Sequence, residues 1–402
     1  MSKAALIAGV VCIVIWLYLL LLHGRFWRIP LAAPCAACAP FSSPEFGERV
    51  GGHLTVAVVI PARNEADVIG RAVASLLNQS LGAPSSSPSF GDRVGSLHIF
   101  VVDDNSTDGT AEAARVASER NAERVTVIAG RPLPPGWAGK LWAVHQGVEQ
   151  ALALNPDFLL LTDADIEHSS HNVGVLVSLA NNGGYDLASF MVKLHCRSVA
   201  ERLLIPAFVF FFFLLYPPEW IRDPRRKTAG AAGGCILIRL ATLERIGGIA
   251  AIRQEIIDDC ALARAVKQSG GKVWLGASAD TYSVRPYNSF AEIERMIART
   301  AFNQLEHSGW RLFGTVAGML LIYVLPLALL FSGSAALAMV GAVAFALMFA
   351  SYVPMVRFYG LNPLWALTLP ASAIFYTFAT FHSAVKYWRG RGGEWKGRAQ
   401  DV

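Results

Sequence analysis

The chain has 402 residues, of which 53% are hydrophobic and 16% are charged, and its mean hydropathy is +0.40. Soluble domains carry charge on about a quarter of their residues, so this composition argues against an ordinary soluble protein, while the abundant Leu, Val and Phe exclude a disordered chain. The net charge is +5, but acidic and basic residues balance between residues 23 and 311, and the excess lies at Lys3, at Arg357 and in the tail 386–402. A nucleic-acid-binding protein carries a basic stripe on its folded body, so we expect no nucleic-acid partner.

Residues 1–22 are predicted to form a membrane anchor. Positions 4–22 contain no charged residue, and this length crosses the hydrocarbon core of a bilayer. Arg25 and Arg28 follow at once, which favours a retained anchor over a cleaved signal peptide and places the following chain in the cytoplasm. Residues 23–53, rich in Pro, Ala and Ser, are predicted to be a linker.

Residues 312–385 form a second apolar region, in which Arg357 is the sole residue of the Asp, Glu, Lys and Arg types. The breaks in this region define three candidate spans, at 312–331, 335–356 and 364–384. Three crossings would place the basic tail 386–402 outside the cytoplasm, against the positive-inside tendency. The sequence therefore leaves two or three spans open, and Pro363 and Pro370 mark the segment that would not cross.

Residues 54–311 are predicted to form one α/β domain with a Rossmann-like, mostly parallel sheet. Apolar runs predict strands at 54–60, 98–102, 125–129, 158–161 and 236–238, and helices at 65–77, 110–121 and 141–152. Alternation of strands and helices is typical of a parallel sheet with helices on both faces. Ligands of such sheets bind at the carboxyl ends of the strands. The Ser- and Pro-rich insert 83–95 is predicted to be a surface loop.

The first polar cluster is the segment 61–65, Pro-Ala-Arg-Asn-Glu, directly after the first strand. A loop that leaves a buried strand and opens a helix can direct backbone amides and short polar side chains at a nucleotide. The same residues also fit a plain helix cap, with Asn64 as the capping residue.

The second cluster begins with Asp103 and Asp104 at the end of the second strand. Two adjacent acids at the end of a buried strand are unfavourable unless a partner compensates them. A base edge or a ribose hydroxyl would be such a partner, while Ser106 and Thr107 are predicted to cap the next helix. A capping turn alone remains the alternative.

The third cluster is Asp163-Ala164-Asp165, after the strand at 158–161. Strand alternation would put both carboxylates on one side, where a hard divalent cation relieves their repulsion. Carboxylate oxygens together with substrate phosphates are typical ligands of Mg²⁺ or Mn²⁺.

These motifs, together with Gly139-Lys140-Leu141-Trp142-Ala143, resemble the family 2 glycosyltransferases with the GT-A fold. The resemblance covers about residues 54–310. The flanking apolar segments and the runs 233–235 and 256–260 are similar, more narrowly, to bacterial hopene-associated glycosyltransferases, and ceramide glucosyltransferases share this layout.

The resemblance implies a role for each matching residue. Residues expected to bind the nucleotide sugar are Pro61, Arg63, Glu65, Asp103, Asp104, Lys140 and Asp163. Asp163 and Asp165 are expected to bind the cation, and Asp259, in the pair Asp258-Asp259, is expected to be the general base. Taken without the resemblance, that pair would be the acidic first turn of a helix.

One family element is not intact. Gln-x-x-Arg-Trp, which follows the base in many lipid-directed members, is represented here only by Arg299, Gln304 and Trp310 at the wrong spacing. With Asp258, these residues are candidates for contacts to the acceptor or the diphosphate. The apolar segment 203–216, too short for a clear span, is predicted to be an interfacial helix or else a buried core helix.

The sequence as a whole predicts a multi-pass enzyme of the bacterial inner membrane with its catalytic domain facing the cytoplasm. The expected reaction transfers a sugar, with inversion, from a nucleotide-diphosphate sugar such as a UDP-sugar to the hydroxyl of a membrane lipid, in a hopanoid-related setting. A polyprenyl-phosphate glycosyltransferase and a catalytically inactive membrane scaffold are the alternatives.

Overall fold

The computed structural model describes residues 3–31, 54–80 and 94–390, together with two short strands in the tail, β9 (Glu394–Trp395) and β10 (Arg398–Ala399). Most of the predicted linker and surface insert, and the rest of the basic tail, lie outside the described residues. The expectations for those segments therefore stay predictions.

Eight strands form one sheet in the order β3-β2-β1-β4-β7-β6-β8-β5. These strands are β1 (Leu54–Ala62), β2 (Val94–Asp103), β3 (Val125–Ala129), β4 (Phe158–Thr162), β5 (Ile166–Glu167), β6 (Leu187–Lys193), β7 (Cys235–Arg239) and β8 (Val273–Ser283). Strands β3, β2, β1 and β4 are parallel, whereas β7 runs antiparallel to both β4 and β6. The predicted α/β fold class is confirmed, and the sheet is parallel through β4 and mixed beyond it.

The central strands are buried on both faces, which explains why they are apolar without alternation. All five residues of β4 are buried, as are the last seven of β1. Val56, Val58 and Ile60 point into one core, and Ala57 and Val59 point into the core on the opposite face. Because β1, β2 and β4 are parallel, their carboxyl ends lie at the same edge of the sheet.

Helices cover both faces of the sheet, and further helices precede and follow its strands in the chain. They are α1 (Lys3–Leu21), α2 (Ala66–Leu77), α3 (Thr110–Ser118), α4 (Gly139–Ala151), α5 (Asn172–Asn182), α6 (Val199–Leu215), α7 (Pro218–Arg222), α8 (Leu240–Arg245), α9 (Asp258–Gln268), α10 (Phe290–Ala298), α11 (Ala301–Gln304), α12 (Gly309–Met319), α13 (Leu325–Leu330), α14 (Ala335–Phe358) and α15 (Leu369–Trp388). A π-helical turn, Leu320–Val324, joins α12 to α13.

Five helical segments of the described chain have the length and apolar composition of a membrane span. They are Lys3–Leu21, Val199–Arg222, Gly309–Leu330, Ala335–Phe358 and Pro363–Trp388. Four of them correspond to the predicted anchor and C-terminal spans, and together they suggest association with a membrane.

The fifth segment, Val199–Arg222, contains α6, where the sequence predicted an interfacial or core helix. Strand β6 precedes it and β7 follows it, and these two strands pair in the sheet, so both ends of the segment are attached to the domain. Phe210 and Phe213 are fully buried, and Phe210 contacts Tyr352 of α14. Helix α6 therefore packs between the domain and the C-terminal helices.

Helix α15 also contacts the domain at both of its ends. Near its start, Ser372 Oγ donates a hydrogen bond to the carbonyl of Leu203 in α6 (2.9 Å). Near its end, Ser383 Oγ donates to the carbonyl of Ala298 in α10 (2.5 Å). The helix thus lies along α6 and α10 rather than leading away from them.

Candidate active site

The loops after β1 and β2 are fastened to each other at the carboxyl edge of the sheet. Asn64 adopts a left-handed conformation (φ 53°), its amide donates to Ser106 Oγ (2.9 Å), and its side-chain oxygen accepts from the Thr107 amide (3.0 Å). The prediction that Ser106 and Thr107 cap α3 is wrong, because the N-cap is Gly109 and both side chains face the opposite loop. Asn64 likewise does not cap α2, which begins after Glu65.

The two adjacent acids after β2 have different surroundings. Asp104 is fully buried, and Arg63 Nη1 donates to its carbonyl (2.6 Å) and lies 3.6 Å from its carboxylate. Asp103 is half-buried at the end of the strand, where its Oδ1 accepts from the Ser106 amide (3.1 Å). Arg63 and Asp104 therefore join the two loops, whereas the Asp103 carboxylate remains at the open edge beside them.

Lys140, at the start of α4, lies between two acidic groups from other elements. Its Nζ is 2.9 Å from Asp163 Oδ1 and 3.2 Å from Asp258 Oδ2. Burial alone would lower the pKa of Lys140, but the charges of Asp163 and Asp258 outweigh it and raise the pKa above its usual value. The lysine is therefore a fixed positive charge that holds the β4 turn against the start of α9.

The pair Asp258-Asp259 forms the first two residues of α9, where a helix favours negative charge. Asp259 Oδ2 accepts from the amide of Gly233 (2.8 Å), and Oδ1 accepts from the amide of Cys260 (2.7 Å). Burial and repulsion from Asp258 raise the pKa of Asp259 to about 6, although Lys140 opposes the rise. The carboxylate is thus fixed in position and titrates close to neutrality, as a general base requires.

Asp163 and Asp165 lie in the turn between β4 and β5. The prediction that strand alternation places them on one side is wrong, because β4 ends at Thr162 and neither aspartate belongs to a strand. Burial raises the pKa of Asp163, Lys140 opposes this effect, and the charge of Asp165 adds to it. The two acids are therefore close enough to repel each other, and it is the turn that brings them together.

Asp165 is also held by the end of β8. Its Oδ2 accepts from Ser283 Oγ (2.8 Å) and lies 3.3 Å from Arg285 Nε, and Arg285 also forms an ion pair with Glu65. Burial alone would lower the pKa of Arg285, but Asp165 and Glu65 raise it. Arg285 thus links the first motif to the third. No signal in the sequence points to Arg285, since a single arginine after a strand belongs to none of the motifs.

A buried polar network lies next to the turn that carries Asp163 and Asp165, which we call the acidic turn. Thr162 Oγ1 donates to the carbonyl of Gly234 (2.7 Å) and lies 3.0 Å from His168 Nε2, while the Asn172 amide lies 2.9 Å from His168 Nδ1. Burial lowers the pKa of His168 to about 3, so the imidazole is neutral at physiological pH. The sequence analysis did not identify this network, whose members carry no motif.

One small pocket brings five of the predicted site residues together, with Gly233 beside them. Pro61, Lys140, Asp163, Gly233, Asp258 and Asp259 all line it. Gly233 is close to the acids, since a Cβ there would lie 3.3 Å from Asp259 Oδ2. The run containing Gly233 was noted in the sequence, but its contact with Asp259 was not predicted.

The three residues of the incomplete Gln-x-x-Arg-Trp element occupy different places. Gln304 Oε1 accepts from the hydroxyl of Tyr216 at the end of α6 (2.8 Å). Arg299 follows α10, close enough to Tyr287 to oppose the rise in its pKa that burial and Asp165 cause. Trp310 is 85% exposed on α12, next to Phe313, and is not brought to the pocket.

The acidic turn suits a cation that is shared with a substrate. Among the described residues, no three His, Cys, Asp or Glu side chains converge as a complete set of metal ligands. Asp163 and Asp165 offer oxygen donors whose mutual repulsion a divalent cation would relieve, and Mg²⁺ is commonly bound through one or two carboxylates plus phosphate oxygens. The residues present therefore fit a cation that phosphates and water complete.

Part of the chain matches the model of a known protein family. Residues 57–247 match the family model for glycosyl transferase family 2, a segment of just under half of the chain that includes the loops after β1, β2 and β4. A comparison with curated proteins finds no match.

Solved structures with the same fold include the mannosyltransferase PcManGT from Pyrobaculum calidifontis in complex with GDP-Man and Mn²⁺ (16% identity, 92% of this chain and 99% of that chain covered, TM-score 0.52). Weaker similarity is found to Mycobacterium tuberculosis glucosyl-3-phosphoglycerate synthase with Mg²⁺ and UDP (18%, 63% and 79%, 0.37) and to S. aureus TarS 1–349 with UDP-GlcNAc (13%, 86% and 95%, 0.34). The first of these similarities shows a shared fold.

The sheet topology, the arrangement of acids at its carboxyl edge and the family match define the protein as a glycosyltransferase. Residues 57–247 carry the match to the family 2 model, and the domain that contains them has the GT-A fold.

Proposed function

We propose that the protein is a membrane-bound, inverting glycosyltransferase that transfers a sugar from a nucleotide-diphosphate sugar to a membrane lipid. The observation that carries this proposal is the position of Asp259, which lines the same pocket as Asp163, while Lys140 pairs with Asp163 and with the neighbouring Asp258. In this arrangement Asp259 would act on the attacking hydroxyl, and the acidic turn would act on the departing diphosphate. The resemblance noted in the sequence makes a hopanoid-related lipid our candidate acceptor.

The donor would lie along the carboxyl edge of the sheet. Pro61, Arg63, Glu65 and Asp103 surround the place for the nucleoside, and we assign to Asp104 the role of holding Arg63, because its carboxylate is fully buried. The acidic turn would hold Mg²⁺ or Mn²⁺ through Asp163 and Asp165. When bound, the cation would offset the charge of the diphosphate as it departs.

Asp259 would act on the acceptor. Amide hydrogen bonds from Gly233 and Cys260 fix its carboxylate, which would accept the proton of an acceptor hydroxyl as the oxygen attacks the anomeric carbon. Attack opposite the leaving diphosphate inverts the anomeric configuration. The positive charge of Lys140 would balance the carboxylates of Asp163 and Asp258 while Asp259 gains and loses its proton.

Donor binding tests this proposal on the detergent-solubilised full-length chain. Calorimetry with UDP-glucose and with GDP-mannose should show binding of one of them that depends on Mn²⁺, and Asp165→Ala should weaken it by about tenfold or more. Asp280→Ala, which removes an exposed acid on β8, is the matched control and should bind as the wild type does. Donor binding that does not depend on Mn²⁺, or equal donor binding by Asp165→Ala and Asp280→Ala, would refute the cation role of Asp165. Absence of any binding would favour the scaffold alternative.

We further propose that three segments cross the membrane: α1, the unit α12–α13, and α14. Helices α6 and α15 would instead lie along the cytoplasmic face, because both ends of each contact the catalytic domain. This arrangement returns the tail 386–402 to the cytoplasm, in agreement with its basic composition. The proposed location is the bacterial inner membrane.

Reporter fusions test this topology. Green fluorescent protein fused after Val402 is expected to fluoresce, and alkaline phosphatase at the same place is expected to be inactive. Fusions at Gly333, in the loop between α13 and α14, serve as the matched control and should give the reverse pattern. Phosphatase activity after Val402 would show that α15 crosses the membrane.

A further inference from the structure

A second, larger cavity lies between the catalytic domain and the end of α14. Its volume is about 380 Å³, and Arg71, Lys193, His195, Arg197, Ser283 and Tyr359 are among its lining residues. Binding sites for small molecules and headgroups commonly have volumes of about 300–1,000 Å³. None of the sequence motifs or predicted site residues lies in this cavity.

The charge of the cavity is positive. Arg71 pairs with Glu167, the one carboxylate of the lining (2.5 Å). Within the described part of the chain, Lys193 and Arg197 have no carboxylate within ion-pair distance, and the Lys193 ammonium lies 5.4 Å from the ring centre of Phe358. Lys193 and Arg197 thus present two cationic side chains without an ion-pair partner among the described residues, which favours an anionic ligand.

The loop that carries these groups is held in place from behind. Glu201, only 1% exposed, accepts hydrogen bonds from His195 Nδ1 (2.6 Å) and from the amides of Arg197 (2.9 Å), Ser198 (2.8 Å) and Tyr287 (2.8 Å). One buried carboxylate thus fixes the loop at three points and joins it to Tyr287. The wall of the cavity is therefore formed before a ligand binds, which reduces the entropy lost on binding.

The cavity connects the membrane boundary with the acidic turn. On one side Ser283 and Val284 both contact Asp165, through Ser283 Oγ to Oδ2 (2.8 Å) and the Val284 amide to its carbonyl (2.8 Å). On the other side lies Tyr359, the residue that follows α14, one of the proposed spans. A lipid headgroup that entered from the bilayer would reach the edge of the proposed donor site here.

We propose that this cavity holds the phosphate-bearing headgroup of the acceptor lipid. The inference rests on the proposed function and deepens it, because it adds a phosphate to the lipid headgroup that carries the accepting hydroxyl. Guanidinium and ammonium groups are the usual phosphate ligands, whereas a neutral headgroup would bring no opposite charge to Lys193 and Arg197. The lipid chains would extend from the mouth beside Tyr359 into the bilayer.

The test measures binding of a soluble lipid phosphate without any nucleotide sugar. Dihexanoyl phosphatidic acid is titrated into the full-length chain in an uncharged detergent, and dihexanoylglycerol and inorganic phosphate are titrated in parallel. We expect the phosphatidic acid to bind at least about tenfold more tightly than either, and Lys193→Gln/Arg197→Gln to lose at least tenfold of that affinity. Arg225→Gln/Arg226→Gln removes two exposed cations elsewhere and should change little.

Three results would overturn the inference. Equal binding of dihexanoylglycerol would show that only apolar contacts are used, and equal binding of inorganic phosphate would show a site for the free anion. An equal loss in both double variants would show a general effect of charge. If the cavity variant fails to fold, Arg197→Gln alone, at an exposed position, replaces it with the same expectation. The lipid-binding test contains no nucleotide sugar. A negative result in it therefore does not bear on the donor-binding test of the proposed function, and a negative donor-binding result does not bear on the lipid site.

Discussion

Replacing Asp259 with Asn is expected to lower the rate of transfer to a hydroxyl acceptor by about 10²–10⁴-fold, the usual contribution of a general base. Asparagine keeps the shape of the side chain but cannot take up the proton. Donor binding, measured by calorimetry, should change little, because the acidic turn and Lys140 remain. The rate is measured with excess donor and Mn²⁺, and Asp280→Asn on the exposed part of β8 serves as the control.

The pH profile supplies a second readout of the same residue. Because burial and Asp258 raise the pKa of Asp259 to about 6, the carboxylate becomes protonated as the pH falls through that value. Wild-type activity should therefore be lost below about pH 6, and the residual activity of Asp259→Asn should lack this step. If Asp259→Asn keeps most of the activity, the acceptor atom needs no base, and a lipid phosphate oxygen becomes the nucleophile.

Replacing Lys140 with Met is expected to destabilise the protein by about 3 kcal/mol, the lower end of the effect of breaking a buried ion pair, since one fifth of the side chain is exposed. Asp163 and Asp258 would then lack the cation that lies between them. For a catalytic domain of this size the melting temperature should fall by about 6–12 °C. Donor binding should weaken as well, because the turn is no longer held against α9.

A double variant separates the charge effect from a packing effect. Lys140→Met combined with Asp163→Asn removes one of the two carboxylates that lack a cation in Lys140→Met. The double variant should therefore recover part of the lost melting temperature without recovering activity. Thermal unfolding in detergent measures both variants. A double variant that is less stable than Lys140→Met would show that Lys140 acts through packing and not through its charge.

Much of the fold could be predicted because its signals are local. The run Phe158–Leu161 is apolar throughout, and such a run can be read as a strand buried on both faces without any knowledge of its neighbours. Helix α2 follows β1 at the predicted place, and the acids appear where β2 and β4 end. The order of these elements was enough for the fold class.

The candidate site was predicted only in part. Lys140 and the acids at 163, 258 and 259 meet because three distant segments converge on one pocket. Arg285, which links Glu65 to Asp165, carries no motif, and its partners lie more than 100 residues away. The caps assigned to Ser106 and Thr107 were wrong, since a side chain's partner across the sheet edge cannot be read from its own segment.

The sequence by itself determined the class of domain, the acidic clusters and the apolar segments, because composition and periodicity act within a single strand or helix. Only the tertiary structure decided how those parts combine. Helix α15 is apolar enough to cross a membrane, yet its hydrogen bonds to α6 and α10 place both of its ends against the domain. The cavity at Lys193 and Arg197 is likewise formed by residues far apart in the chain, because charge and apolar length are local properties, whereas the surface against which they pack is not.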